Sequence, residues 1–352
     1  MKTNTHKSAP LTRRDFLATS AKLGVATLGA LSLTSQAFGA GAKDIDSSRA
    51  SASTSALDSA TAPESTREST PLITLNNGVK MPALGFGVLR LGDQKQTQMA
   101  VESALELGYR LFDTAQSYGN EEGVGYALKA TGIKREELFI TIKLFKDFAT
   151  ESLAAKAYDE SLKRLNLEYA DLYLIHQPVN DTYGAYRAMS KLYKQKAVRA
   201  IGVSNFDSAR IMDFVQNQEV RPAVNQVECN PLFQNHATQS TLQELGIQME
   251  AWSPLAQGKD NILQNAVLAR IGKKYGKNTA QVILRWIYQR GIVSVVKSGN
   301  PTHQKENLNI FDFSLSAQDM EAIAGLDTNK RGLDHQNPDT IKWLNERTII
   351  KA

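Results

Sequence analysis

The chain has 352 residues, of which 42% are hydrophobic and 22% charged, with one cysteine and five histidines. That apolar share supports a packed core and excludes a chain disordered throughout. The lone Cys229 excludes a disulfide scaffold and a cysteine-based zinc or iron–sulfur site, and the histidines do not pair at metal-ligand spacing, so no metal site is expected.

The formal net charge is +5, and it is unevenly placed. Residues 1–42 hold Lys2, Lys7, Arg13, Arg14 and Lys22 against Asp15, a net of +4, which leaves about +1 for the rest. The basic balance belongs to that segment, so a nucleic-acid-binding surface has little support. Thr12-Arg13-Arg14-Asp15-Phe16-Leu17 is a twin-arginine pattern. A short apolar stretch from Leu23 to Leu33 and small residues around Ala37 to Ala42 follow it. This order reads as a twin-arginine signal peptide over residues 1–42, with an apolar part short of the roughly 20 residues that span a bilayer. The expectation is a periplasmic or otherwise exported protein handled by the Tat machinery, with no membrane span in the mature chain, or a cytoplasmic one if the leader is not used. Residues 43–70 contain eight Ser, four Thr and five Ala and no hydrophobic period, the composition of a flexible linker.

The folded part is expected over residues 71–352. Leu72–Leu75, Asn76-Asn77-Gly78 and Val79–Met81 read as a β-hairpin. Apolar runs then recur at Ala83–Val88, Arg110–Asp113, Leu138–Lys143, Leu172–His176, Ala200–Val203, Ala223–Val227, Ile247–Trp252 and Ile292–Val296. Stretches of helical period such as Thr97–Leu107 and Leu153–Leu165 separate them. Eight strands alternating with helices predict an α/β fold, a (β/α)8 TIM barrel with an N-terminal hairpin. A doubly wound dinucleotide fold is rejected, because Gly85-Phe86-Gly87 lacks a third glycine and no helix opens after it.

Active sites of such barrels lie at the C-terminal strand ends. Asp113, Lys143 and His176 end three of these strands, and Tyr118 follows Asp113 by five residues. Asp113 and Lys143 can neutralise each other, and a lysine ammonium beside a tyrosine hydroxyl lowers its pKa, so Tyr118 is expected to be an acidic proton donor. His176 can hydrogen-bond an oxygen next to it. The set suits reduction of a carbonyl, with a hydride from a bound cofactor. A structural ion pair, a barrel that binds the cofactor as a sensor or regulator with little turnover, and a hydrolase using Asp113 and Glu121 are the competing readings.

The ordered segments Gly85-Phe86-Gly87, Phe112-Asp113-Thr114-Ala115, Ser117-Tyr118-Gly119-Asn120-Glu121, Ile142-Lys143-Leu144, Leu174-Ile175-His176-Gln177-Pro178, Ile201-Gly202-Val203-Ser204-Asn205-Phe206, Val224-Asn225-Gln226, Ala251-Trp252-Ser253-Pro254-Leu255 and Val296-Lys297-Ser298 resemble the aldo-keto reductase superfamily. In feel the chain is similar to bacterial 2,5-diketo-gluconate and methylglyoxal reductases. The resemblance covers about Leu72 to Trp343. It implies a barrel, usually monomeric, that reduces aldehydes or ketones with NADPH, and a catalytic tetrad at Asp113, Tyr118, Lys143 and His176. It further implies that Ser204, Asn205 and Gln226 hold the nicotinamide carboxamide, that Trp252 stacks under the ring, and that Ser253, Leu255 and Gln257 line the pyrophosphate. Lys297 and Ser298 match the 2′-phosphate site, and Asn300-Pro301 should open a helix whose amides face that anion. His303 stands where the family commonly has an arginine, and imidazole forks a phosphate less well, so NADH is left open. Glu306 and Asn307 match the adenine site. Leu89, Phe145, His176 and Gln177 would line the substrate pocket, with a C-terminal pocket loop over Asp327–Ala352. That pocket is less aromatic than in many animal members, which favours small or polar carbonyls.

Overall fold

The computed structural model describes residues 70–348. The expected leader and all but the last residue of the expected linker lie outside the described residues. Among the described residues no helix is long and apolar enough to cross a membrane.

The hairpin is present: β1 (Leu72–Thr74) pairs antiparallel with β2 (Lys80–Pro82). Eight further strands follow. They are β3 (Leu84–Gly87), β4 (Leu111–Asp113), β5 (Phe139–Leu144), β6 (Ala170–Ile175), β7 (Val198–Ser204), β8 (Val224–Glu228), β9 (Gln248–Trp252) and β10 (Val293–Val296). All pair parallel in chain order, and β10 closes on β3, giving a sealed eight-stranded barrel. Each lies within two or three residues of its expected limits.

Helices α1 (Gln94–Leu107), α2 (Glu121–Ala130), α3 (Ala154–Leu165), α4 (Thr182–Lys194), α5 (Ser208–Gln216), α6 (His236–Glu244), α7 (Ala266–Tyr275) and α8 (Thr279–Gln289) connect the strands. Three more follow: α9 (Pro301–Leu308), α10 (Ala317–Ala324) and α11 (Pro338–Glu346). The expected C-terminal loop therefore contains a helix. Asn337 caps α11, Pro338 begins it, and buried Leu344 anchors it.

Period two along the strands divides the side chains into two cores. Tyr173, Ile175, Ile140 and Phe112 face the helices, whereas Leu111, Phe139, Leu172, Leu174, Val224, Val293 and Val295 fill the barrel with Leu75 and Met81 of the hairpin. The hairpin closes the N-terminal end, with Asn76 Nδ2 donating to Pro222 O at 2.9 Å and Asn77 Nδ2 to Arg199 O at 3.0 Å. Gly85 is needed inside: a Cβ there would stand 2.0 Å from Leu111 Cδ2. Following the inward positions upward, Leu111 gives way to Asp113, Phe139 and Thr141 to Lys143, and Val224 to Gln226. The barrel interior thus passes from hydrocarbon to charge as it nears the C-terminal rim.

Candidate active site

β4 ends at Asp113, and Leu111, Phe112 and Asp113 pair with Phe139, Ile140 and Thr141 of β5. A 3-10 turn over Gln116–Tyr118 then folds the tyrosine back over the strand end. Buried Gln116 staples the turn: its Nε2 donates to Ala157 O at 3.1 Å and its Oε1 accepts from Phe145 N at 2.8 Å. Asn120 adds a second tie, donating to Val88 O at 2.9 Å.

Lys143 is fully buried and pairs with Asp113. Its Nζ also donates to Tyr118 OH at 3.2 Å. Burial opposes the ammonium form, but Asp113 and then Tyr118 outweigh it and hold the Lys143 pKa above its ordinary value. Tyr118 behaves differently from the expectation of an acidified phenol. Loss of hydration around its hydroxyl raises the pKa more than Lys143 lowers it, so the net direction is upward and the group keeps its proton at neutral pH.

His176 follows β6. Its backbone N donates to Leu144 O at 3.1 Å, and its backbone O accepts from Asn205 Nδ2 at 2.9 Å. The ring stands edge-on to Tyr118 with centroids 5.6 Å apart, and Nδ1 lies 3.4 Å from Ser117 Oγ. Burial, then the charge of Lys143, holds its pKa well below the ordinary value, so the imidazole is neutral. Asp113, Tyr118, Lys143 and His176, expected together from the sequence, thus converge at one point of the rim.

Next to them lies a second cluster. Ser204 Oγ donates to Gln226 O at 2.7 Å, and Asn205, at φ 68°, receives Trp252 Nε1 on its Oδ1 at 2.8 Å. Gln226 points inward, where its Nε2 donates to Asp113 Oδ2 and to Glu250 Oε2, each at 2.8 Å. Beyond Trp252 the chain runs through a stretch with Ser253, Ala256 and Gln257 at positive φ, and Gln257 Nε2 donates to Ser253 Oγ at 3.0 Å. Leu255 packs on the outer core. After β10, Lys297 is exposed and Asn300 caps α9 with Pro301 at its start. Ser298 bonds to both backbone groups of Asn300. His303 is exposed, Glu306 half-buried and Asn307 buried. Buried Gln304, absent from the sequence reading, pins this helix by donating to Ala100 O and Ser298 O.

Of the expected substrate-lining groups, Leu89 is exposed, while Phe145 is buried against His176 at 6.5 Å. Gln177 Oε1 accepts from His335 Nε2 at 2.8 Å. His335 belongs to a C-terminal strap held by Glu228, whose Oε2 accepts from Gly332 N at 2.8 Å and Leu333 N at 3.3 Å. Between the strap and Trp252 lies a small, open space lined by Asn205, Arg331 and His335. The strap anchors, like Glu250, depend on distant contacts and were not found from sequence.

Residues 83–328 match the Aldo/keto reductase family. The chain belongs to that family. It is 44% identical over 270 residues to glyoxal reductase of Bacillus subtilis, covering 76% of this chain and 96% of the relative. It is 41% identical over 264 residues to methylglyoxal reductase DkgA of Yersinia pestis, covering 74% and 94%. Among solved structures, a Bombyx mori aldo-keto reductase in complex with NADP superposes with a TM-score of 0.73 at 33% identity, covering 76% of this chain and 96% of the other.

An aldo/keto reductase is an oxidoreductase that works on carbonyl groups with a nicotinamide cofactor, and the donor set here fits one. Amides and hydroxyls gather beside a half-exposed indole, a stretch of left-handed backbone follows it in the chain, and after β10 an exposed lysine precedes a capped helix N-terminus.

Proposed function

We propose that this aldo/keto reductase uses NADPH to reduce small or polar aldehydes and ketones to alcohols, with Tyr118 as the proton donor. The observation that carries the reading is Lys143 Nζ, paired with Asp113 and 3.2 Å from Tyr118 OH, with His176 beside the same hydroxyl. When bound, the cofactor supplies a hydride to the carbonyl carbon. Tyr118 gives its proton to the carbonyl oxygen, and the Lys143 ammonium stabilises the phenolate left behind. Neutral His176 orients that oxygen. Ser204, Asn205 and Gln226 would hold the carboxamide, and Trp252 would lie against the ring. Ser253, Leu255 and Gln257 would follow the pyrophosphate, and Lys297, Ser298 and the N-terminus of α9 would take the 2′-phosphate, with His303, Glu306 and Asn307 toward the adenosine. Leu89, Phe145, His176 and Gln177 would border the substrate. The names of the glyoxal and methylglyoxal reductase relatives support dicarbonyls as first substrates to try.

The test is Tyr118→Phe with methylglyoxal. The variant should keep NADPH binding and lose reduction by about 10²- to 10⁴-fold. Normal reduction by the variant would refute the mechanism, and binding without turnover by the wild type would favour a sensor barrel. We also propose export by the twin-arginine route, for which N-terminal sequencing of the protein recovered from an exported fraction is the check.

A further inference from the structure

Glu250 is fully buried in the middle of β9, paired in register with Gln226 of β8 and Val293 of β10. Its side chain turns into the barrel, within electrostatic reach of the Asp113–Lys143 pair. Gln226 links the two, because one Nε2 group donates to Asp113 Oδ2 and to Glu250 Oε2 at 2.8 Å each. The other oxygen, Glu250 Oε1, is buried and has no hydrogen-bond partner among the described residues. An ionised carboxylate leaves such an atom strongly under-solvated, whereas a carboxylic acid with its proton there leaves only a neutral O–H unpaired, at a smaller cost.

The groups facing Glu250 are Asp113 from β4, Lys143 from β5 and, behind Lys143, Tyr118 from the 3-10 turn. β10 contributes only Val and Ser side chains. Glu228 stands two residues nearer the rim on β8, bound to the strap amides. His236 and Glu244 belong to α6, which covers the outer face of the barrel. Around the reacting hydroxyl there is thus one ammonium and two carboxyls. If both carboxyls ionise, the Lys143 charge is over-compensated and a phenolate at Tyr118 is disfavoured.

We propose that Glu250 is a positioning residue that works as a neutral carboxylic acid: by keeping its proton it lets Gln226 tether Asp113 and leaves the Lys143 charge directed at Tyr118, and loss of that proton to solvent at alkaline pH slows carbonyl reduction. Burial and the nearby Asp113 charge push its pKa up to about 8, against the smaller pull of the Gln226 bond and Lys143. The kinetic half of the inference rests on the proposed reductase function. The protonation half does not.

Two measurements test it. In infrared titration of the wild-type holoenzyme, the stretch of a buried carboxylic acid should be present at neutral pH, disappear as pH passes about 8 and be missing from Glu250→Gln. With methylglyoxal and NADPH, the rate of Glu250→Gln relative to wild type should rise about three- to tenfold between about pH 6.5 and about pH 9.5. A purely structural glutamate gives a ratio that does not change with pH, and that result overturns the positioning role. Absence of the titrating band overturns the inference even in an active enzyme and whether or not the variant folds. A normal band in a protein that turns over no carbonyl counts against the proposed function instead.

Discussion

The Trp252 indole donates its Nε1–H to Asn205 Oδ1 at 2.8 Å, so the wall and the floor of the proposed nicotinamide site are tied together. The bond fixes which way the Asn205 amide faces, since its Nδ2 is then free to donate to His176 O. Trp252→Phe keeps an aromatic face and removes the donor. A net hydrogen bond of about 0.5–1.5 kcal/mol corresponds to about two- to tenfold weaker NADPH binding. Fluorescence titration reads this directly, and unchanged affinity would show that the bond does not organise the site.

Asp113 and Lys143 are both buried, so removing one charge strands the other. Asp113→Asn should cost about 3–5 kcal/mol of folding stability, beyond its effect on turnover. The denaturant midpoint measures it. A variant as stable as wild type would mean that Lys143 sheds its proton without penalty, against its raised pKa.

His176 has a folded pKa well below its ordinary 6.5. An unfolded chain therefore takes up a proton that the folded one refuses. The contribution of neutral His176 to stability is complete above about pH 6.5 and is lost progressively as pH falls below it. Heteronuclear titration of the ring should report a neutral imidazole on the acid side of 6.5, and thermal unfolding of His176→Gln should fall less steeply over that window than wild type. An ordinary titration midpoint would contradict the described environment.

The strap depends on a close approach. A Cβ on Gly332 would stand 2.6 Å from Glu228 Oε1, inside the contact distance that the carboxylate can tolerate without moving. Gly332→Ala should loosen the segment carrying His335, raising KM for methylglyoxal about three- to tenfold with kcat and melting temperature nearly unchanged, equivalent to about 0.7–1.4 kcal/mol. Equal losses in kcat and kcat/KM would place the effect in the chemistry rather than in the strap.

The barrel and its four converging side chains were legible because both follow from local pattern. Short apolar runs mark the strands; Asp113 ends one, Lys143 is next to last in another and His176 immediately follows a third. Glu250 was not legible. Gln-Met-Glu-Ala-Trp alternates in a way that leaves its inner face undecided, and only the register with Gln226 turns the glutamate inward. The net direction at Tyr118 was missed for a related reason: a neighbouring ammonium can be inferred from spacing, whereas depth of burial is set by the whole rim. Glu228 and His335 act through partners about a hundred residues or more away, a range that periodicity does not encode.

The hairpin stopper gives the molecule a front and a back. Pro71 O accepts from Ala83 N at the plugged base, at the end of the barrel opposite the proposed active site. Thr70, the first described residue, therefore joins the barrel from the rear, away from the rim that carries Asp113, Tyr118, Lys143 and His176.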